Sequence, residues 1–169
     1  MPNKRPQSSV IGAAGEDLVL SHLLRLGVIA GKTPDFTKDY DLVVINKDGT
    51  NSAPIQVKTS TSPNWMMQKK HEKPIDNLFY CFVRMSLESI ETDIFIMDSN
   101  TVSNFVKTSH KIWLKIPART GKKHKDVDMR KIESNFSHFK WIEIPEKYLN
   151  KNELKFIEEH SEGWMEKYR

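Results

Sequence analysis

The segment from residue 40 to 59 constrains the fold more than any other, because it is written as a hairpin. Tyr40 to Ile45 is apolar and β-branched, Lys47-Asp48-Gly49-Thr50 is turn chemistry, and Pro54 to Thr59 is the returning strand. Leu42-Val43-Val44-Ile45 is apolar on both faces, as expected of a strand inside a sheet covered on both sides. Leu78 to Met85 and Asp93 to Met97 read as two further strands, and Val28 to Gly31 and Met129 to Ile132 as short ones. Apolar spacing predicts a helix over 11–26 that ends at Gly27. A second starts at Ser99, a good N-cap, and runs to about Lys115, with Val102, Phe105, Val106, Ile112 and Trp113 in helical period. Residues 60–74 are expected to be irregular or partly helical, 117–125 a basic loop, and the end from about Asn152 a helix of mixed charge. The expected class is α/β (α+β): a run of antiparallel strands in a sheet covered by helices.

A chain of 169 residues can bury a core without staples. The expected organisation is a flexible basic arm over 1–9, one domain over 10–140, and a helical extension over 141–169 packed on it. The single cysteine, Cys81, rules out an internal disulfide and a cysteine zinc cluster. It sits in the apolar run Leu78 to Val83 and reads as core, which suits a reducing, cytoplasmic compartment. No apolar stretch approaches the ~20 residues of a membrane helix. The net charge of +4 is unevenly placed. From Lys107 to Lys131, nine basic residues face only Asp126 and Asp128, a net +7 that leaves −3 for the rest. Concentrated positive charge favours a polyanionic partner.

Three places break the hydrophobic pattern, and such breaks concentrate at functional sites. On a helical wheel of about 100° per residue, Glu16 falls among Ala13, Val19, Leu20 and Leu23, with Asp17, Ser21, His22 and Arg25 on the other side. A carboxylate on an apolar face is rare unless it is paired or holds a metal; at the start of a helix it would instead be favoured by the macrodipole. Asp41 opens the apolar strand. In Gln56-Val57-Lys58, Gln56 and Lys58 share one face while Ile55 and Val57 take the other. If the turn centres on Gly49-Thr50, Asp41 opposes Lys58 and Val43 opposes Gln56, so Asp41, Gln56 and Lys58 lie on one face of two neighbouring strands.

This cluster suits phosphodiester hydrolysis, which requires an activated water, neutralised phosphate charge and a stabilised leaving oxygen. Mg²⁺ supplies much of that and prefers oxygen ligands. Asp41 offers a carboxylate, Gln56 an amide oxygen, Val57 a backbone carbonyl, and Glu16 a carboxylate that binds directly or through water. Lys58 is placed to orient the attacking water or to stabilise the phosphorane.

Together, Gly12-Ala13-Ala14-Gly15-Glu16, Tyr40-Asp41-Leu42 and Gln56-Val57-Lys58 resemble the PD-(D/E)XK nuclease superfamily of restriction endonucleases, junction resolvases and repair nucleases. Gln56-Val57-Lys58-Thr59-Ser60, Leu78-Phe79-Tyr80, His124-Lys125-Asp126 and Met129-Arg130 are similar to a subgroup of small bacterial endonuclease-like proteins. The resemblance covers about residues 10–98 for the core and reaches about 132 for the subgroup. It implies a restriction-endonuclease-like mixed sheet flanked by helices, dependence on Mg²⁺ or Mn²⁺, and DNA as substrate. It also implies Glu16, Asp41 and Gln56 as metal-site residues and Lys58 as the catalytic lysine. Many members act as dimers, so a homodimer is a further expectation, with the Phe- and Trp-rich C-terminal segment as its surface. Gln56 stands where the family more often has an acid, which removes one negative charge from the metal site.

Lys107, Lys111, Lys115, Arg119, Lys122, Lys123, His124, Lys125 and Arg130 form the expected nucleic-acid footprint. His124 and Asp126 are candidates for secondary roles in the active site. Trp65-Met66-Met67 either packs under a loop or stacks on a base, and Trp113, Trp141 and Trp164 read as packing residues. No P-loop, zincin or serine-triad pattern is present. Two other readings stand beside the nuclease: a catalytically silent nucleic-acid-binding domain of the same fold, and an interaction component of a bacterial defence or mobile-element system.

Overall fold

The structure is a computed structural model that describes residues 5–37, 39–133, 147 and 149–160. The chain divides into two compact units, residues 1–62 with 76–99, and residues 63–75 with 100–169. Trp141, Trp164 and the first four residues of the arm lie outside the described residues.

The first unit holds helix α1 (Ser8–Arg25) and strands β1 (Ile29–Lys32), β2 (Leu42–Ile45), β3 (Ser52–Ser60), β5 (Phe79–Met85) and β6 (Thr92–Asp98), with β4 assigned below to the second unit. The sheet order is β1-β2-β3-β5-β6. Neighbours are antiparallel except β3 and β5, which run parallel with Gln56 beside Tyr80 and Lys58 beside Phe82. The sheet is therefore mixed, and the run of antiparallel strands expected from the sequence is corrected at this pair. A two-residue turn forces antiparallel neighbours, but the 18 residues between β3 and β5 let the chain return in the same direction.

One face of the sheet buries Leu42, Ile55, Val57, Cys81 and Val83 against Val19 and Leu23 of α1. The other face carries Tyr80, Phe82, Phe95 and Met97, all buried. Helix α1 buries Ile11, Gly15, Val19 and Leu23, a stripe at every fourth residue. It ends as expected at Gly27, whose φ of 77° is open to glycine. There Gly27 N–H donates to the Leu24 carbonyl and Val28 N–H to that of Leu23, both at 3.0 Å, a Schellman closure. At Gly15 the helix comes so close to β3 that an added Cβ would lie 1.8 Å from Thr59 Oγ1.

The second unit holds β4 (Asn64–Gln68), a 3₁₀ turn (Lys69–Glu72), α2 (Ser99–Lys115, of which Ser99 belongs to the first unit), β7 (Met129–Glu133) and α3 (Lys151–His160). Strands β4 and β7 pair antiparallel, with Trp65 opposite Ile132 and Met67 opposite Arg130. The sequence reading of 60–74 as irregular or helical missed β4. Its partner lies more than 60 residues downstream, and a five-residue strand is too short to declare itself alone. Trp65 and Met67 are buried while Met66 is half-exposed. No helix among the described residues is long and apolar enough to cross a membrane.

Candidate active site

The hairpin sets the first part of the site. Leu42 pairs with Ile55 and Ile45 with Ser52, so partner numbers sum to 97 rather than the 99 expected from a turn centred on Gly49-Thr50. The turn closes one residue earlier. Gly49, at φ 74°, donates its N–H to the Asn46 carbonyl at 3.0 Å. The Asp48 carboxylate accepts from the Thr50 N–H at 3.0 Å and from its hydroxyl at 2.6 Å. The register thus moves by two residues, and Asp41 lies beside Ile55, whose carbonyl takes its N–H, rather than opposite Lys58. A shift of two keeps every side chain on its face, because strand side chains alternate with period 2.

Asp41 lies one residue before β2. Its backbone N–H still donates to the Ile55 carbonyl at 2.8 Å, but its carboxylate then takes over the ladder and accepts from the Val57 N–H at 2.7 Å. The N–H and C=O of a strand residue project to the same side, so the Val57 carbonyl also points toward Asp41. A carboxylate and a carbonyl therefore share the gap where β2 ends beside β3.

Glu16 sits in the middle of α1, not at its start, so the macrodipole does not account for it. It borders the buried stripe beside Gly15, with its side chain 30% exposed. Burial raises its pKa, and the negative charge of Asp41 raises it further. Lys32 of edge strand β1 works against this, with Nζ 3.5 Å from Glu16 Oε2 and 2.8 Å from Asp17 Oδ1. Sequence reasoning missed Lys32, since a lysine on a short edge strand is usually there to prevent aggregation.

Gln56 is buried and Lys58 half-buried on the face that also carries Tyr80 and Phe82. The Tyr80 phenol, another unforeseen neighbour, is pushed up to about 12, mainly by burial. Hard oxygen donors thus come from α1, the start of β2 and β3: the Glu16 and Asp41 carboxylates and the Val57 carbonyl, with the Gln56 amide on the sheet face away from α1. No group of three or more His, Cys, Asp or Glu side chains that could hold a metal occurs among the described residues. Two carboxylates and a carbonyl still suit Mg²⁺, which keeps several waters and is commonly bound through one or two carboxylates plus substrate phosphate.

In the second unit Lys107, Lys111 and Lys115 are exposed along α2, and Arg119, Lys122, Lys123 and Lys125 are exposed in the loop after it. His124 stacks on Trp113, ring centroids 3.8 Å apart. Arg130 departs from the expected footprint, and its assignment to phosphate binding is corrected. It is only 3% exposed and donates to Glu72 through Nε, to Asp126 at 3.2 Å, and to the Val127 and Met129 carbonyls. An alternating strand places position 130 on the inner face of β7, where a charge must be paired. Asp126 is also taken up, bonded to Lys69 at 2.7 Å and His110 at 3.0 Å, and these bonds hold its carboxyl down at about 2. Arg130→Ala is expected to destabilise the protein by about 3 kcal/mol, because Glu72 loses its buried partner. Thermal unfolding checks this, and the salt dependence of DNA retention is expected to stay as in wild type.

No family model matches the chain, and no curated protein does. Among solved structures it is similar to the bacterial homing endonuclease I-Ssp6803I, at 16% identity and a TM-score of 0.44, over 59% of this chain and 71% of that one. It is also similar to the Holliday junction resolvase Hjc of the archaeal hyperthermophile Archaeoglobus fulgidus, at 12% identity and a TM-score of 0.42, over 72% of this chain and 83% of that one. At these scores the shared geometry is loose, and the functional reading rests on this chain's own residues.

Proposed function

We propose that the chain is a divalent-metal-dependent nuclease that hydrolyses phosphodiester bonds in DNA. The observation that carries this reading is the Asp41 carboxylate, held 2.7 Å from the Val57 N–H at the end of β2 and within electrostatic reach of Glu16. Burial and the Asp41 charge raise the Glu16 pKa despite the Lys32 ammonium 3.5 Å away, and a divalent cation would relieve the repulsion that remains. Asp41 and the Val57 carbonyl would hold Mg²⁺ or Mn²⁺, with Glu16 bound directly or through a water. When bound, the ion neutralises phosphate charge and makes its water a better nucleophile. Lys58 brings a positive charge to the same face as Gln56 and stabilises the negative charge that develops on the phosphate oxygens. Gln56 lends an amide oxygen without a charge, which weakens the hold on the ion. Because its pKa is raised, Glu16 must lose its proton before it can bind, so metal loading falls off at a higher pH than for an ordinary glutamate.

A catalytically silent nucleic-acid-binding domain is the second reading. Gln56 favours it, together with the lack of a three-ligand acidic or histidine cluster among the described residues.

Incubation of the wild type and of an Asp41→Ala/Lys58→Ala double variant with circular duplex and single-stranded DNA, in Mg²⁺ and in Mn²⁺, separates the two. Cleavage by the wild type alone is the expected result. DNA retention that weakens with salt, without cleavage in either metal, would move the assignment to the silent domain.

A further inference from the structure

The second unit contains a cavity of about 350 Å³, remote in role from the carboxylates above. Met66, Val127 and Met129 give it apolar walls, and the rings of His110 and Trp113 also line it. These rings are held before any ligand arrives. They stack on each other with centroids 5.2 Å apart, His124 backs Trp113, and His110 Nε2 is anchored on Asp126 at 3.0 Å. Arg130 forms part of the wall, and its guanidinium is fixed by Glu72 and Asp126. The Ser109 hydroxyl, which donates to the Val106 carbonyl at 3.2 Å and keeps its oxygen lone pairs, and the Lys131 ammonium, ion-paired with Glu133, also line it.

A rigid, largely apolar cavity with aromatic walls and a few polar groups suits a flat, heteroaromatic ligand. Its size accepts a single base with its sugar and excludes a duplex. The charge around it says what the ligand is attached to. Lys107, Lys111 and Lys115 are exposed on α2, which also supplies His110 and Trp113. Each step of four residues advances about 6 Å along the helix, comparable to the spacing of successive phosphates in an extended strand. His110 lies only about 60° around the helix from Lys107, so phosphates on the lysine row bring a base within reach of the cavity.

We propose that this cavity is a nucleobase pocket, which takes one unstacked base of a DNA strand whose phosphates follow the lysine row of α2. The proposal deepens the nuclease reading, on which it rests for its DNA substrate, and it names that substrate as DNA with a single-stranded or extruded nucleotide. An unpaired base is cheap to place in such a pocket, whereas a paired one must first be unstacked.

The test is a Val127→Ser/Met129→Gln variant. Both side chains are at least half-exposed, so the fold and net charge are kept while the apolar wall is lost. Binding is measured in EDTA with a short single-stranded oligodeoxynucleotide, the same strand carrying abasic residues, and a blunt duplex. The variant is expected to bind the normal strand about tenfold more weakly than wild type, as for the loss of one stacked base. The abasic strand and the duplex are expected to bind both proteins equally. Equal binding of normal and abasic strands by wild type, or of the normal strand by wild type and variant, overturns the pocket. Cleavage of the same DNA in Mg²⁺ separates this failure from that of the nuclease reading. A protein that cuts without base dependence loses only the pocket, and one that binds base-dependently but never cuts loses only the nuclease. No binding of any strand together with no cleavage in Mg²⁺ overturns both.

Discussion

Asp41→Asn is expected to lower cleavage by about a thousandfold while the protein stays folded. Asparagine keeps a carbonyl oxygen where the carboxylate now accepts the Val57 N–H, so the extension of the hairpin survives. What goes is the negative charge, and with it half of the charged donor set for a divalent ion. Activity against circular DNA, with thermal unfolding as the control for folding, measures both. A readout independent of catalysis comes from Glu16, whose pKa is raised first by burial and next by the charge of Asp41. The substitution removes the second cause only. The Glu16 carboxyl, followed by NMR in metal-free protein, is therefore expected to titrate lower than in wild type. An unchanged Glu16 titration would mean that the two carboxylates do not share a site.

Gly15→Ala is expected to cost about 3 kcal/mol and to lower the melting temperature by about 10 °C. In an open helix this change is favourable by about 1 kcal/mol, since alanine is the better helix former. Here the new methyl would lie 1.8 Å from Thr59 Oγ1 and 2.8 Å from Thr59 Cβ, well inside van der Waals contact. Thr59 is short and β-branched, so it cannot swing aside, and α1 must move off β3. That shift carries Glu16 with it, so metal affinity is expected to fall in the protein that remains folded. Gly12→Ala is the control: nothing lies within 4 Å of its added carbon, and it should raise stability slightly. Thr59→Ala in the Gly15→Ala background removes the contacts to Oγ1 at 1.8 Å and Cγ2 at 2.8 Å but not that to Cβ at 2.8 Å, and is expected to restore only part of the loss. Equal melting temperatures for the two glycine variants would refute the close approach.

Much of this architecture was legible from local chemistry. The strand runs read at 40–45, 54–59, 78–85 and 93–97 fall on the strands at 42–45, 52–60, 79–85 and 92–98, and the helix closed by Gly27 and the helix from Ser99 to about Lys115 likewise follow from periodicity, caps and turn residues. Those signals depend on neighbours a few positions away, and such neighbours are fixed by the chain itself. Cys81 as core and the Asp-Gly turn belong to the same class. Glu16, Asp41, Gln56 and Lys58 were singled out because each is a polar residue in an apolar pattern, which needs no knowledge of its partners.

The partners came only with the tertiary structure. The parallel pairing of β3 with β5 depends on the path of the chain between them, and β4 exists because β7 returns to it from the far end of the sequence. The two-residue register shift was decided by where Gly49 could take a positive φ, a choice among neighbouring turn positions that differ little in composition. Arg130 looked like one more cation in a basic run, and only its place on the inner face of β7 turned it from a phosphate ligand into a buried tie. Lys32 reaches Glu16 because an edge strand lies beside α1, and His110, Trp113 and His124 stack because a loop folds back on α2. Sequence by itself determined which residues were out of place. Long-range packing decided what each was next to, because contacts between distant segments are selected by the whole fold and leave no local period to read.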